Sequence, residues 1–215
     1  RVGSDEKQPG SSDVARGKMG AVTEPWKILI LKALESNASV KHSSFVQLAT
    51  VGCSGRPSNR TVVFRGFVED SDKIQIHTDC RSRKVEELRQ CPFAEICWYF
   101  TDSWEQFRIN GRIDMIDGSN PDPMKLQERE RAWFASSMKT RAQYLGPVPG
   151  TPFLGEHPPE FSLDASVGPV AAFCLLILDP DQVDYVDLKS NRRVAYGFTP
   201  KTDGEKCWTF QTINP

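Results

Sequence analysis

Residues 93–116 carry two long β-strands back to back: an aromatic-rich run over 93–100 and an alternating run over 104–116, joined by the tight turn Thr101-Asp102-Ser103. Long antiparallel strands leave rows of unpaired N–H and C=O groups along both margins unless further strands cover them. The rest of the chain supplies such strands. Residues 44–51 and 58–68 form a hairpin around the turn at 52–57, and the turn at 69–72 leads into 73–78, where Ile74 and Ile76 alternate with Lys73, Gln75 and His77. Three closing strands are expected at 170–178, 183–188 and 207–213, with a short piece near 193–198. A sheet of this extent loses its edges by closing on itself, so the expected fold is mainly β with flanking helices, a closed β-barrel.

The helices are legible from their ends. Thr23, Glu24 and Pro25 make an opening, and Trp26, Ile28, Leu29, Ile30, Leu31, Ala33 and Leu34 supply an apolar stripe to about Asn37. A second helix opens at Arg81 and Ser82 and stops before Cys91-Pro92; a third covers 121–137. Pro and Gly are too dense over 146–169 for regular structure. Residues 1–20 have almost nothing to bury and are expected to be a disordered leader, with 21–215 as a single domain.

Bulk chemistry narrows the functions. The chain has 27 Lys and Arg against 28 Asp and Glu, so no global field draws it to nucleic acid or anionic lipid, and any anion site is local. The longest apolar run, 170–178, is far short of the roughly 20 residues that cross a bilayer. Six cysteines without a CxxC pair read as reduced thiols, placing the chain in the cytoplasm, with plastid import left open. The three histidines do not sit at ligand spacing, so no metal is expected.

Three stretches could carry chemistry. Arg60-Thr61-Val62-Val63-Phe64-Arg65-Gly66 puts two arginines on a strand among residues that want burial. Thr78-Asp79-Cys80-Arg81-Ser82-Arg83-Lys84 places hydroxyls and adjacent cations where a strand runs into a helix N-terminus, whose free N–H groups and dipole favour an anion; a phosphate would neutralise Arg83 and Lys84 there. Gln106, Arg108 and Asn110 share one strand face and could hydrogen-bond a flat heterocycle that offers both donors and acceptors. Each has a plainer reading: solvated arginines, a basic helix start, an exposed strand face. Asn191-Arg192-Arg193 reads as a turn.

As an ordered set, Gly55 to Phe67, then Thr78 with Ser82-Arg83-Lys84 and Glu87-Leu88, Pro92-Phe93-Ala94, Gln106 to Gly111, Trp133-Phe134 and Asn191-Arg192 resemble the pyridoxamine 5'-phosphate oxidase family, plant and cyanobacterial members above all. The resemblance implies a six-stranded FMN-binding split β-barrel and a homodimer with FMN in clefts between subunits. It places Arg60, Thr61, Val62 and Val63 along the flavin, His77, Thr78, Ser82, Arg83 and Lys84 at its phosphate end, and Gln106 on the cofactor of the other subunit. It places Arg65, Trp133, Ser137, Arg141 and Arg192 at the substrate, with Arg192 as the catalytic candidate. The implied reaction is oxidation of C4' of pyridoxamine or pyridoxine 5'-phosphate, within vitamin B6 metabolism, by hydride transfer to flavin N5 with O2 as acceptor. The alternatives are a flavin reductase or another FMN-linked oxidoreductase, or a non-catalytic FMN- or B6-binding protein. The sequence departs from the family at the substrate end. Trp133 replaces a tyrosine, Ser137 and Arg141 stand for an arginine and a serine, Val194 and Tyr196 replace a histidine and an arginine, and Val186 replaces an aromatic.

Overall fold

The computed structural model describes residues 25–153, 163–200 and 206–215; the expectations for the leader 1–20, for Thr23 as a helix start and for the middle of the 146–169 loop lie outside them. The elements are α1 (Trp26–Ser36), β1 (Phe45–Val51), β2 (Pro57–Phe67), β3 (Ile74–Asp79), α2 (Arg83–Gln90), β4 (Phe93–Phe100), β5 (Glu105–Ile116), α3 (Pro123–Ala135), α4 (Met138–Ala142), β6 (Phe173–Asp187), β7 (Arg192–Pro200) and β8 (Lys206–Ile213). Strands follow the order β3-β2-β1-β4-β5-β6-β7-β8, and β3 also pairs with β6. That last pairing closes a six-stranded antiparallel barrel, from which β7 and β8 continue as a flange.

β6 makes both the closure and the flange. Its first half pairs with β3 and β5, and its second half pairs with β5 and β7. The sequence reading divided it in two at Asp179-Pro180; the structure shows one strand with a bulge. Pro180 lies opposite Gly111 and Gln182 opposite Asn110, so Asp181 is the extra residue, and a bulge is where a strand tolerates a proline. Gly111 is required at this crossing: a Cβ there would lie 2.3 Å from the Asp179 carbonyl oxygen.

Every side chain from Phe173 to Leu178 is buried because both faces of β6 are covered. Cys174, Leu176 and Leu178 point into the barrel with Ile74, Ile76, Ile96, Trp98 and Phe107, whereas Phe173, Leu175 and Ile177 lie under α3 with Ala132 and Trp133. Each large apolar side chain buried this way contributes about 2 kcal/mol. α1 adds Trp26, Leu29, Ile30 and Ala33 to the barrel core and leaves Ile28 and Leu31 exposed, so its buried stripe is narrower than the sequence implied. The third helix begins at Pro123, capped by Asp122 accepting from the Met124 N–H at 2.9 Å, and stops at Ala135. Beyond it Ser137 caps the separate short helix α4. All six cysteines are free, and no helix among the described residues is long and apolar enough to cross a membrane.

Candidate functional site

β3 hands the chain to α2 at a corner built from Thr78, Ser82 and Lys84. Thr78 and Ser82 are buried. Ser82 occupies the N-cap position, yet its hydroxyl donates back to the Asp79 carbonyl at 2.7 Å, so no side chain caps α2. The N–H groups of Arg83 and Lys84 and the positive end of the helix dipole therefore stay available, while the Val85 N–H donates to the Ser82 carbonyl at 3.0 Å. Lys84 Nζ donates to Thr78 Oγ1 at 3.0 Å and to Ser82 Oγ at 3.1 Å, and no carboxylate among the described residues lies within ion-pair distance of it. Burial pushes the ammonium below the ordinary lysine range, and the Arg60 charge pushes it further, against Asp79 and Glu87. A half-buried cation short of negative charge, two hydroxyls and an uncapped helix start fit a phosphate monoester such as the FMN tail.

Arg60 and Arg65, read together as outward residues, stand on opposite faces of β2, as their odd spacing requires. Arg60 turns toward α2, where Nη2 meets Glu87 Oε2 at 2.8 Å and Nη1 donates to the Leu48 carbonyl at 3.1 Å. Glu87 also accepts from Thr50 at 2.6 Å and Ser58 at 2.9 Å. Burial alone would raise the Glu87 carboxyl; the hydrogen bonds from Thr50, Ser58 and Arg60 hold it below the ordinary range instead. The sequence reading missed Glu87 as the partner of Arg60, although its place three residues after Lys84 puts the two on one side of α2. Thr61 and Val63 face outward with Arg65, and Val62 faces the core. Arg83 is exposed and borders a cavity of about 410 Å³ with Arg56, Ser58 and Glu86 under the β1–β2 turn, apart from Thr78.

On the outer side of β3, His77 Nδ1 lies 3.2 Å from Ser136 Oγ, and burial, then the Arg65 charge, depress the imidazole to about 4. Trp133 and Arg141, expected at the substrate, hold framework positions in this protomer. Trp133 is wholly buried and donates to the Val167 carbonyl at 2.8 Å. The Arg141 guanidinium donates to the carbonyls of Ser136, Ala165 and Phe134. Ser137 accepts from the Thr140 N–H as the cap of α4. Val194 and Tyr196 are core residues.

Gln106 is half-buried opposite Val186, and Arg192 is exposed at the start of β7 opposite Asp187. Thr78 lies opposite Cys174 at the other end of β6, roughly 40 Å away along the strand at its usual rise. The structure thus gathers Thr78, Ser82, Lys84 and Arg60 at one end and sets Gln106 and Arg192 at the other.

Known proteins align with this architecture. Residues 23–117 match the model of the pyridoxamine 5'-phosphate oxidase FMN-binding domain. The chain is 58% identical over 198 residues to pyridoxine/pyridoxamine 5'-phosphate oxidase 2 of Arabidopsis thaliana, covering 92% of this chain and 100% of that protein. It is similar to the solved pyridoxamine 5'-phosphate oxidase-related, FMN-binding protein of Nostoc punctiforme, with a TM-score of 0.80, 38% identity, and 91% of this chain and 100% of that one covered. PhzG of Burkholderia lata shares the fold at 21% identity and a TM-score of 0.65, with 96% and 100% covered. The closed barrel, the phosphate-fitting corner and the full-length likeness to the plant oxidase make this chain a member of the FMN-binding pyridoxamine 5'-phosphate oxidase family.

Proposed function

We propose that this FMN-dependent oxidase oxidises C4' of pyridoxamine or pyridoxine 5'-phosphate in vitamin B6 metabolism, and that it works as a homodimer. The observation that carries the reading is the Lys84 ammonium, half-buried on the hydroxyls of Thr78 and Ser82 beside an uncapped helix start. FMN, when bound, would supply the redox chemistry, as a two-electron acceptor for C4' that O2 can reoxidise. Lys84, Thr78 and Ser82 hold its phosphate, Arg83 borders that corner from the hairpin side, and Arg60 is kept beside it by Glu87. Residues 60–63 run along the flavin. Gln106 and Arg192 serve the site from a second copy of the chain, since within one protomer β6 holds them far from Thr78. Arg192 then lies against the substrate as an orienting cation.

The test is direct. Purified protein is expected to show flavin absorbance and, given pyridoxine 5'-phosphate in air, to release aldehyde and peroxide in equal amounts. Absence of flavin, with no uptake of added FMN, would remove the reading. A second reading keeps the flavin and changes the small molecule oxidised; the framework positions of Trp133 and Arg141 and the buried Val194 and Tyr196 favour it. Bound FMN with no aldehyde from either B6 phosphate would select it.

A further inference from the structure

Alternation on β4 sends Ala94, Ile96, Trp98 and Phe100 inward and turns Phe93, Glu95, Cys97 and Tyr99 outward. On β5, Phe107 and Ile109 are inward, so Gln106, Arg108 and Asn110 share the outer face. Arg108 is ion-paired there with Glu95 at 2.9 Å. Gln106 and Tyr99 have no such commitment.

Tyr99 lies directly opposite Gln106 in the β4–β5 register, and Val186 lies opposite Gln106 on its other side. Opposite residues of antiparallel strands hold their side chains on one face, with Cβ atoms about 5 Å apart. Gln106 is thus flanked by one aromatic ring and one short aliphatic chain. Its amide makes a single side-chain contact with a described residue, a weak one, in which Cys97 Sγ stands 3.9 Å from Oε1. Tyr99 is 43% exposed, and it makes no ring contact, cation contact or side-chain hydrogen bond with a described residue. The barrel does not need it as an anchor, because Trp98 and Phe100 on either side are already fully buried. An open ring and an open amide side by side match a flat heteroaromatic: the ring takes an apolar face, and the amide meets an edge that offers both donors and acceptors.

We propose that Tyr99 is a further cofactor-binding residue: with Gln106 it receives the isoalloxazine of the FMN whose phosphate is held by a second copy of the chain, the phenol ring packing on the flavin while the Gln106 amide meets its polar edge. The inference rests on the reading of Gln106 as reaching the cofactor of another protomer. It adds an aromatic contact from β4, a strand on which the family resemblance placed no site residue.

The test reads bound FMN by its fluorescence. An excited isoalloxazine in contact with a phenol is quenched by electron transfer from it, whereas a benzene ring is too hard to oxidise to quench. Tyr99→Phe is therefore expected to lengthen the fluorescence lifetime of bound FMN severalfold and to leave FMN affinity unchanged, since the ring remains. Tyr99→Leu is expected to lengthen the lifetime likewise and to weaken FMN binding by about tenfold. A lifetime in Tyr99→Phe equal to that of the parent overturns the contact, and this variant decides the matter even if Tyr99→Leu fails to fold. Which copy supplies the ring is read by unfolding the Tyr99→Phe and Lys84→Ala proteins together in equal amounts and refolding them at an FMN concentration that leaves Lys84→Ala alone empty. Mixed dimers then hold FMN at the intact Lys84 of one copy against the intact Tyr99 of the other, and about half of all bound FMN is expected to recover the short lifetime of the parent. If all of it stays long-lived, the ring acts within its own protomer and the shared placement falls. Quenching by Tyr99 in a protein that yields no aldehyde from either B6 phosphate would sink the proposed reaction and leave this contact standing.

Discussion

At the scale of single residues, His77 carries a pH signature that can be read without any ligand. Its folded pKa is depressed from 6.5 to about 4 by burial and by Arg65. Between those values the native ring stays neutral while the unfolded chain takes up the proton. Its contribution is therefore fully present above pH 6.5 and is lost as pH falls toward 4, by about 3 kcal/mol in all. The stability difference between the parent and His77→Phe, from denaturant midpoints at pH 7 to 4, is expected to move against the parent as pH falls, the variant lacking this part of the slope; a difference that stays constant would refute the assignment. The same scale shows what sequence can disclose. The Thr78–Ser82–Lys84 corner was legible because its parts lie within one strand-to-helix junction. The parity of Arg60 and Arg65 was calculable from their spacing. The Glu87 partnership of Arg60 and the three carbonyls held by Arg141 were not legible, because each depends on which distant element packs alongside.

At the scale of elements, the hairpins β1–β2 and β4–β5 declared themselves through alternation and a local turn. β6 did not, because Asp179-Pro180 is ordinarily a break and its tolerance depends on Gly111 in a strand far away in sequence. Alternation was also hidden over 173–178, where both faces are buried. The bulge at Asp181 sets the parity of everything after it. Deleting Asp181 removes the extra residue, so Gln182 is expected to stay opposite Asn110, and Val183 and Tyr185 to stay inward opposite Ile109 and Phe107, at a cost of about 1–3 kcal/mol for the lost bend. The deleted chain is expected to keep its near-ultraviolet circular dichroism. Loss of that signal would show that the flange needs the bend as well as the register.

At the scale of the whole molecule, the length of β6 makes a claim about assembly. Lys84 sits by Thr78 at the closed end of the barrel, and Arg192 sits at the flange end, roughly 40 Å along the strand. If both act on one flavin-bound substrate, they come from different copies of the chain. Lys84→Ala and Arg192→Ala are each expected to leave little turnover as pure proteins. Unfolded together in equal amounts and refolded with FMN, half the dimers would be mixed, and each mixed dimer would contain one site with both residues intact. Turnover is then expected to recover to about a quarter of the parent level, the statistical value for a two-fold dimer with shared sites. If instead one protomer folded back to supply both residues, no mixed dimer would hold an intact site beyond those of the parents, and activity would stay at the level of the single variants.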